Sequence, residues 1–280
     1  MDAFRDRIAV ITGGASGIGR AMANAFAERG ARLVLADIDE ASLAKAEKDL
    51  VARGATVLAV ATDVTRRESV CELADRAFAH YGQVHVVCNN AGIAVLGPLA
   101  DATPADWDAT MAINFWGVVH GVDSFLPRLI AQGEGGHIVN TASMAGLVGM
   151  EGLGIYCASK FAVVGLSESL HRECRAHDIG VSVLCPMIVA TNIAENSRRQ
   201  LGRSSLGPAV AAAPAPTTAS GDEGGGRRGD VITAEEVGRR VVRGIERQDL
   251  YIFTHPEQRD ILRRRAQRQD AMFEDEASSL

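Results

Sequence analysis

The sequence predicts a doubly wound α/β fold, in which helices cover both faces of one predominantly parallel sheet. Two observations lead to this prediction. Short apolar, β-rich runs alternate with longer helical patterns along the chain. Most of the runs are apolar almost throughout, which is typical of strands that are buried on both faces. The predicted strands are 7–12, 32–37, 56–60, 84–89, 137–143, 181–186 and 250–254.

The segments between these strands have helical patterns, as strand–helix–strand units require. No internal repeat and no second core are visible, so residues 1–255 are expected to form one domain. Residues 256–280 are expected to form an exposed, charged helix that frays at its end. The predicted helices are 17–29, 40–52, 66–80, 104–131, 155–177 and 234–247.

Residues 202–230 break the alternation, because they are almost entirely Gly, Ala, Pro, Ser, Thr and charged residues. Such a stretch buries too little apolar surface to offset the entropy of ordering it, so we expect it to be mobile. It follows the last central strand, and loops in that position border the ligand crevice of doubly wound folds. A lid and a tolerated surface insertion are both open interpretations.

Composition excludes several classes of protein. The net charge of −6 argues against a nucleic-acid partner, because phosphate binding requires a basic surface. No apolar run approaches the roughly 20 residues of a membrane span, and no signal peptide precedes the first strand. The five cysteines form no C-x-x-C pair, and the seven histidines are scattered. We therefore expect a cytoplasmic protein with no structural disulfide and no metal site.

The first predicted strand runs into the glycine-rich stretch "TGGASGIG", residues 12–19, and then into a helix. Glycines at 13, 17 and 19 allow a tight turn and let a ligand approach the backbone closely. The helix N-terminus that follows offers free N–H groups and a positive dipole end to a pyrophosphate. A glycine-rich turn without a ligand is the alternative, but the strand–turn–helix context favours nucleotide binding.

Asp37 ends the second predicted strand, about 20 residues after the glycines. An acid at this place accepts hydrogen bonds from the adenosine ribose and repels a 2′-phosphate. Arg20 and Arg32 both precede Asp37 in the sequence, so neither takes the position after the acid from which an arginine would bind a 2′-phosphate. NAD is therefore favoured over NADP, although an aspartate here can also simply cap a turn.

Together these motifs resemble the short-chain dehydrogenase/reductase family, over residues 5–195 and 231–255. The resemblance implies a single Rossmann-type domain with seven parallel strands. The residues that carry it are "TGGASGIG" (12–19), Asp63, Val64, "NNAG" (89–92), Asn114, Ser143, "YCASK" (156–160), Pro186 and Thr191.

The resemblance also implies where the cofactor is bound. Asp63 and Val64 would flank the adenine, Asn90 would lie beside a ribose, and Val189 and Thr191 would meet the nicotinamide carboxamide. The full predicted cofactor set is Gly13, Ser16, Gly17, Ile18, Gly19, Asp37, Asp63, Val64, Asn90, Ala91, Gly92, Tyr156, Lys160, Pro186, Val189 and Thr191.

Tyr156 and Lys160 are four positions apart, so they share one face of a helix. A nearby ammonium lowers the pKa of a phenol from its usual value near 10, and such a tyrosine can exchange a proton with an alcohol. Ser143 can hold the substrate oxygen by a hydrogen bond. Each residue alone could be ordinary, since Ser143 could be a helix cap. The resemblance adds Asn114 as a residue that holds a water in a proton relay.

The sequence departs from the family at Met187, where a glycine usually follows the proline. A side chain there could narrow the space beside the nicotinamide or change the turn. Methionine and leucine are adaptable, apolar pocket walls, and packing in the core is the alternative for each. The predicted substrate contacts are Ser143, Met144, Met150, Leu153, Tyr156 and Met187, with Ile93, Val95 and Glu151 as further candidates.

These features predict an NAD-dependent oxidoreductase that interconverts a hydrophobic secondary alcohol and its ketone. A biosynthetic ketone reductase that uses NADPH and a catalytically silent dinucleotide sensor are the alternatives. Helices 104–131 and 155–177 have broad apolar faces, and family members commonly pair these helices between subunits. We therefore expect a homodimer or a homotetramer, with core packing as the other explanation of these faces.

Overall fold

The computed structural model describes residues 3–191, 193, 195–197 and 231–279, with side chains described as far as residue 273. The predicted insertion at 202–230 lies outside the described residues. The strands are β1 (Ile8–Thr12), β2 (Arg32–Asp37), β3 (Val57–Ala61), β4 (Val86–Asn89), β5 (Gly136–Thr141), β6 (Ile179–Cys185), β7 (Val189–Ala190), β8 (Ile232–Thr233) and β9 (Tyr251–Phe253).

Seven of these strands form one sheet in the order β3-β2-β1-β4-β5-β6-β9, and every neighbouring pair is parallel. This confirms the predicted fold. The strand order reverses between β1 and β4, which pair with Ile11 opposite Cys88. Ligands of doubly wound sheets bind outside the carboxyl ends of the strands at such a reversal. The sequence missed the short pair β7 and β8, because two residues per strand leave no visible apolar pattern.

The helices are those of the prediction with one correction. The predicted helix 104–131 consists of two helices joined by a π-helical turn at Ala112–Trp116. Periodicity did not reveal this turn, since its five residues are too few to show a pattern of their own between two helices. The helices are α1 (Gly17–Glu28), α2 (Glu40–Ala52), α3 (Arg67–Tyr81), α4 (Pro104–Met111), α5 (Gly117–Gln132), α6 (Gly154–Cys174), α7 (Ala234–Glu246) and α8 (Arg259–Ser279).

The core lies on both faces of the sheet, as the apolar strands predict. Along β1, Ile8 and Val10 pack with α3, α5 and α6, whereas Ala9 and Ile11 pack with α1, α2 and α7. Successive side chains of a strand point to opposite faces, so each central strand contributes to both layers. The two layers hold the carboxyl ends of the strands in fixed positions, and the site is built there.

The rest of the chain adds three findings. All five cysteines are free. Within the part of the chain that the structure describes, no helix is long and apolar enough to cross a membrane, and no group of His, Cys, Asp and Glu could hold a metal ion. Helix α8 contacts the body of the protein near its start, where the Arg265 guanidinium lies over the Phe161 ring at 5.5 Å.

Candidate active site

A cavity of about 480 Å³ lies at the carboxyl edge of the sheet, where the strand order reverses. Its volume is in the range of small-molecule and cofactor sites. The residues that follow the central strands line it. Of the predicted cofactor residues, those in the lining are Gly13, Ser16, Gly17, Ile18, Asp37, Asp63, Val64, Asn90, Ala91, Gly92, Tyr156, Lys160, Pro186 and Thr191.

Two predicted cofactor residues lie behind the cavity wall. A Cβ at Gly19 would stand 2.1 Å from the Gly13 carbonyl oxygen, so this glycine allows α1 to pack closely against the loop. Val189 lies in β7 and packs against the core layer that contains α1 and α7. Gly13 and Gly17 have φ angles of +65° and +51°, which explains why both positions favour glycine.

Thr12 ties the glycine loop to the loop that follows β4. Its Oγ1 accepts hydrogen bonds from the backbone N–H groups of Asn90 (2.9 Å) and Ala91 (3.1 Å), and the Asn90 amide donates to the Thr12 carbonyl at 3.0 Å. These contacts join the two loops on either side of the strand reversal. The sequence motif contains Thr12, but only the fold shows that its hydroxyl has this use.

Asp37 stands at the far end of the cavity, and its carboxylate contacts the glycine loop. One oxygen accepts a hydrogen bond from the Ala15 N–H and the other accepts one from the Asp39 N–H, both at 3.1 Å. Burial raises the pKa of Asp37, and these two hydrogen bonds partly oppose the rise. Each oxygen keeps a further acceptor site, because a carboxylate can accept about four hydrogen bonds. Asp39 and Asp63 line the same cavity.

Tyr156 and Lys160 line the other end of the cavity from successive turns of α6. The Lys160 Nζ donates to the Thr141 carbonyl at 2.9 Å and lies 5.6 Å from the centre of the Tyr156 ring. Lys160 is only 3% exposed, and burial lowers its pKa to about 8. The predicted spacing therefore does bring the two side chains together over one cavity.

The predicted lowering of the phenol pKa is not observed. Burial raises the pKa of Tyr156 to about 12, and a hydrogen bond with Ser143 opposes only part of that rise. The Lys160 ammonium lies over the ring and donates to a carbonyl, so its charge is not directed at the phenol oxygen. In this structure, the cost of burying a charged phenolate outweighs the lowering of the Tyr156 pKa that the sequence predicted from the Lys160 ammonium.

Ser143 is a local cap, and its hydroxyl also lies beside the phenol of Tyr156; its contact with substrate stays a prediction. Its Oγ accepts from the Ala145 N–H at 3.1 Å, which caps a short 3₁₀ turn at Met144–Gly146. The same hydroxyl donates to the Pro186 carbonyl at 3.2 Å and is hydrogen-bonded to Tyr156. A local cap therefore also fixes a polar group beside the phenol.

Asn114 is fully buried in the π-helical turn, behind the cavity. Its amide is bonded to both backbone groups of Ile93, at 2.8 and 2.9 Å, and to the Ser159 hydroxyl at 3.1 Å. A Cβ added to Gly92 would stand 3.2 Å from the Asn114 Oδ1 and 3.5 Å from the Lys160 Nζ. Asn114 thus anchors the strand-β4 loop close to Lys160, and its water-holding role stays a prediction.

The predicted substrate contacts lie mainly in packed surroundings. Met144 is 2% exposed in a small core cluster, against which Met150 and Met187 pack. Ile93 is buried and lines the cavity. Val95 is buried and Glu151 is exposed, while Leu153 directly precedes α6. Substrate contact by these residues stays a prediction.

Met187 fits its turn without strain. Its φ is not positive, so the position does not require the glycine that the family usually has. The Met187 N–H donates to the Thr254 Oγ1 at 3.3 Å, and the Arg240 guanidinium donates to the Thr254 carbonyl at 2.6 Å. Sequence reasoning missed Thr254, because a residue after β9 comes close to Met187 only once the sheet has formed.

Comparisons with known proteins agree with this arrangement. A family model described as "short chain dehydrogenase" matches residues 7–202. The C alpha-dehydrogenase of a Sphingobium strain is 33% identical over 268 residues, covering 95% of this chain and 86% of that protein. The 1-deoxy-11-beta-hydroxypentalenate dehydrogenase of Streptomyces exfoliatus is 37% identical over 267 residues, covering 93% and 87%.

A solved structure leads to the same class. A short chain dehydrogenase/reductase from Burkholderia phymatum, solved in complex with NAD, matches with a TM-score of 0.84 and 37% identity over 97% of both chains. The fold and the cavity at its strand reversal define a dinucleotide-binding type of α/β protein. The chain belongs to the short-chain dehydrogenase/reductase family, and within it to the oxidoreductases. This confirms the resemblance seen in the sequence.

Proposed function

We propose that this protein is an NAD-dependent oxidoreductase that interconverts a hydrophobic secondary alcohol and its ketone, with Tyr156 as the general base and acid. One observation carries the proposal. A single cavity is lined at one end by the glycine loop and Asp37, and at the other by Tyr156 and Lys160. Cofactor-binding and proton-transferring groups therefore share one space.

The residues present suit NAD in three respects. The side chain of Ser16 does not cap α1, so the first-turn N–H groups of this helix are free of that partner and can donate to a pyrophosphate. Asp37 retains acceptor sites for ribose hydroxyls. The acidic side chain of Asp37 would repel the 2′-phosphate of NADP. The NAD complex of the Burkholderia relative supports the same choice.

NAD, when bound, exchanges a hydride with the substrate carbon. Tyr156 gives a proton to the ketone oxygen or takes one from the alcohol. Its high pKa keeps the free phenol protonated at neutral pH, which suits donation to the ketone. Accepting a proton from the alcohol requires a positive charge close to the phenol oxygen, which the oxidised nicotinamide would supply when NAD is bound. Lys160 holds its ammonium against the ring. Ser143 would turn its hydroxyl proton from the Pro186 carbonyl to the substrate oxygen.

We propose alcohol oxidation as the working direction, because cellular NAD pools are usually oxidised. The dehydrogenase names of the Sphingobium and Streptomyces relatives support this direction. Met150 and Met187 would contribute to an apolar substrate site. A cytoplasmic homodimer or homotetramer is part of the same proposal.

A panel of secondary alcohols tests the function directly. Each alcohol is mixed with the protein and either NAD or NADP, and the absorbance of the reduced cofactor is followed. We expect turnover of at least one hydrophobic alcohol with NAD, and a lower kcat/KM with NADP. A strong preference for NADP would support the reductase alternative, and cofactor binding without any turnover in either direction would support the sensor.

A further inference from the structure

Two polar side chains that follow β7, those of Asn196 and Ser197, contact loops on both sides of the cavity. Asn196 lines the cavity, and its Nδ2 donates to the Ser16 Oγ of the glycine loop at 3.1 Å. One residue later, the Ser197 Oγ accepts from the Ala94 N–H at 3.0 Å and donates to the Ile193 carbonyl at 2.6 Å. The segment is thus fastened to the loop after β1 and to the loop after β4.

The contact with Asn196 explains an unusual feature of Ser16. A serine at a helix N-cap normally accepts a hydrogen bond from a first-turn N–H, which satisfies one free donor. Ser16 occupies the N-cap of α1 in an extended conformation, yet its side chain makes no capping bond. Its oxygen accepts from Asn196 instead, so the first-turn N–H groups stay uncapped by Ser16 and face the cavity together with the Ser16 hydroxyl.

We propose that Asn196 is a positioning residue for the cofactor pyrophosphate. By holding the Ser16 oxygen, it keeps that hydroxyl from capping α1 and leaves its proton free to be donated. The hydroxyl and the first-turn N–H groups then form one cluster of donors, which is what an anion at a helix N-terminus requires. Asn196 is neutral, so it adds no repulsion toward phosphate. This inference rests on the proposed binding of NAD.

Equilibrium binding tests the inference without turnover. NAD and ADP-ribose, which share the pyrophosphate, are titrated calorimetrically into the full chain and into Asn196→Ala. We expect both dissociation constants to rise roughly three- to tenfold, the effect of losing about one hydrogen bond. Asn196→Asp keeps the size but adds a negative charge, so it should weaken both ligands further.

A mutant cycle separates this role from simple loss of the segment's contacts. Ser16→Ala and Asn196→Ala should be non-additive, with the double variant binding NAD no more weakly than the weaker single variant. Ser197→Ala is the matched control, because it loosens the same segment without touching Ser16, and its effect should add to that of Ser16→Ala. Unchanged binding by Asn196→Ala, or an additive cycle, would overturn the inference. If the wild-type chain bound neither ligand, the proposed function itself would fail.

Discussion

At the scale of single residues, Asp37 shapes a loop in a way that the sequence could not separate from the predicted contact with the ribose. Its carboxylate accepts hydrogen bonds from the N–H groups of Ala15 and Asp39 and so shapes the glycine loop. The same carboxylate keeps further acceptor sites toward the cavity. The sequence interpretations as a turn-forming aspartate and as a ribose ligand are therefore compatible. A substitution that removes only the charge distinguishes the effect on cofactor choice from the effect on the loop.

Asp37→Asn should reduce the preference for NAD over NADP. The amide oxygen can still accept one backbone N–H, while the charge that repels a 2′-phosphate is lost. We expect the ratio of the two dissociation constants to change by roughly tenfold or more. Asp39→Asn is the control, because asparagine can keep the cap that Asp39 provides to Ser42. The account of Asp37 fails if both variants shift the ratio equally.

At the scale of elements, the contact between α1 and α7 depends on a glycine. A Cβ at Gly238 would stand 2.4 Å from the Ala21 carbonyl oxygen and 3.1 Å from the Met22 nitrogen, both in the backbone of α1. Backbone atoms cannot move aside as a flexible side chain can. Because α1 begins at the glycine loop, this packing also positions the cofactor end of the cavity.

Gly238→Ala should therefore destabilise the protein by about 1–3 kcal/mol through overpacking. Gly165→Ala is the matched control on α6, where an added Cβ would meet nothing within 4 Å. There the better helix propensity of alanine should stabilise the protein by up to about 1 kcal/mol. Urea unfolding of both variants measures the difference. Equal effects of the same sign would contradict the proposed helix contact.

The sequence predicted those elements whose pattern is local. Buried strands such as β1 are apolar throughout, and the glycine loop has its own spacing, so both could be predicted from short windows. The π-helical turn around Asn114 and the pairing of β7 with β8 leave no such pattern. The contact between Met187 and Thr254 also required the folded sheet, and the pKa of Tyr156 depended on burial that spacing cannot show.

At the scale of the whole molecule, a buried histidine should make the fold sensitive to acid. His137 in β5 is 2% exposed, and its Nε2 is hydrogen-bonded to the Ser182 Oγ at 2.8 Å. Its Nδ1 is buried with no hydrogen-bond partner among the described residues. Burial, helped by the charge of His171, lowers the pKa of His137 to about 4. The folded protein therefore keeps this ring neutral.

The free energy of unfolding should fall as the pH drops from about 6.5 toward 4. The unfolded chain protonates His137 near its ordinary pKa of about 6.5 and the folded protein only near 4, so acid favours unfolding. This group alone can contribute about 3 kcal/mol. Urea titrations at several pH values measure the slope, and His137→Gln should reduce it. An unchanged slope in that variant would exclude His137 as the cause.

The central claim is that Tyr156 transfers the proton in a cavity that binds NAD independently of it. Tyr156→Phe removes one oxygen and keeps the ring, and Tyr81→Phe, whose hydroxyl donates to the Leu33 carbonyl, is the control. Two quantities are measured for each variant: kcat with an alcohol that the wild type oxidises, and the dissociation constant of NAD. We predict a loss of roughly 100-fold or more in kcat for Tyr156→Phe, with NAD binding largely unchanged and Tyr81→Phe fully active. Turnover by Tyr156→Phe close to that of the wild type would contradict the account.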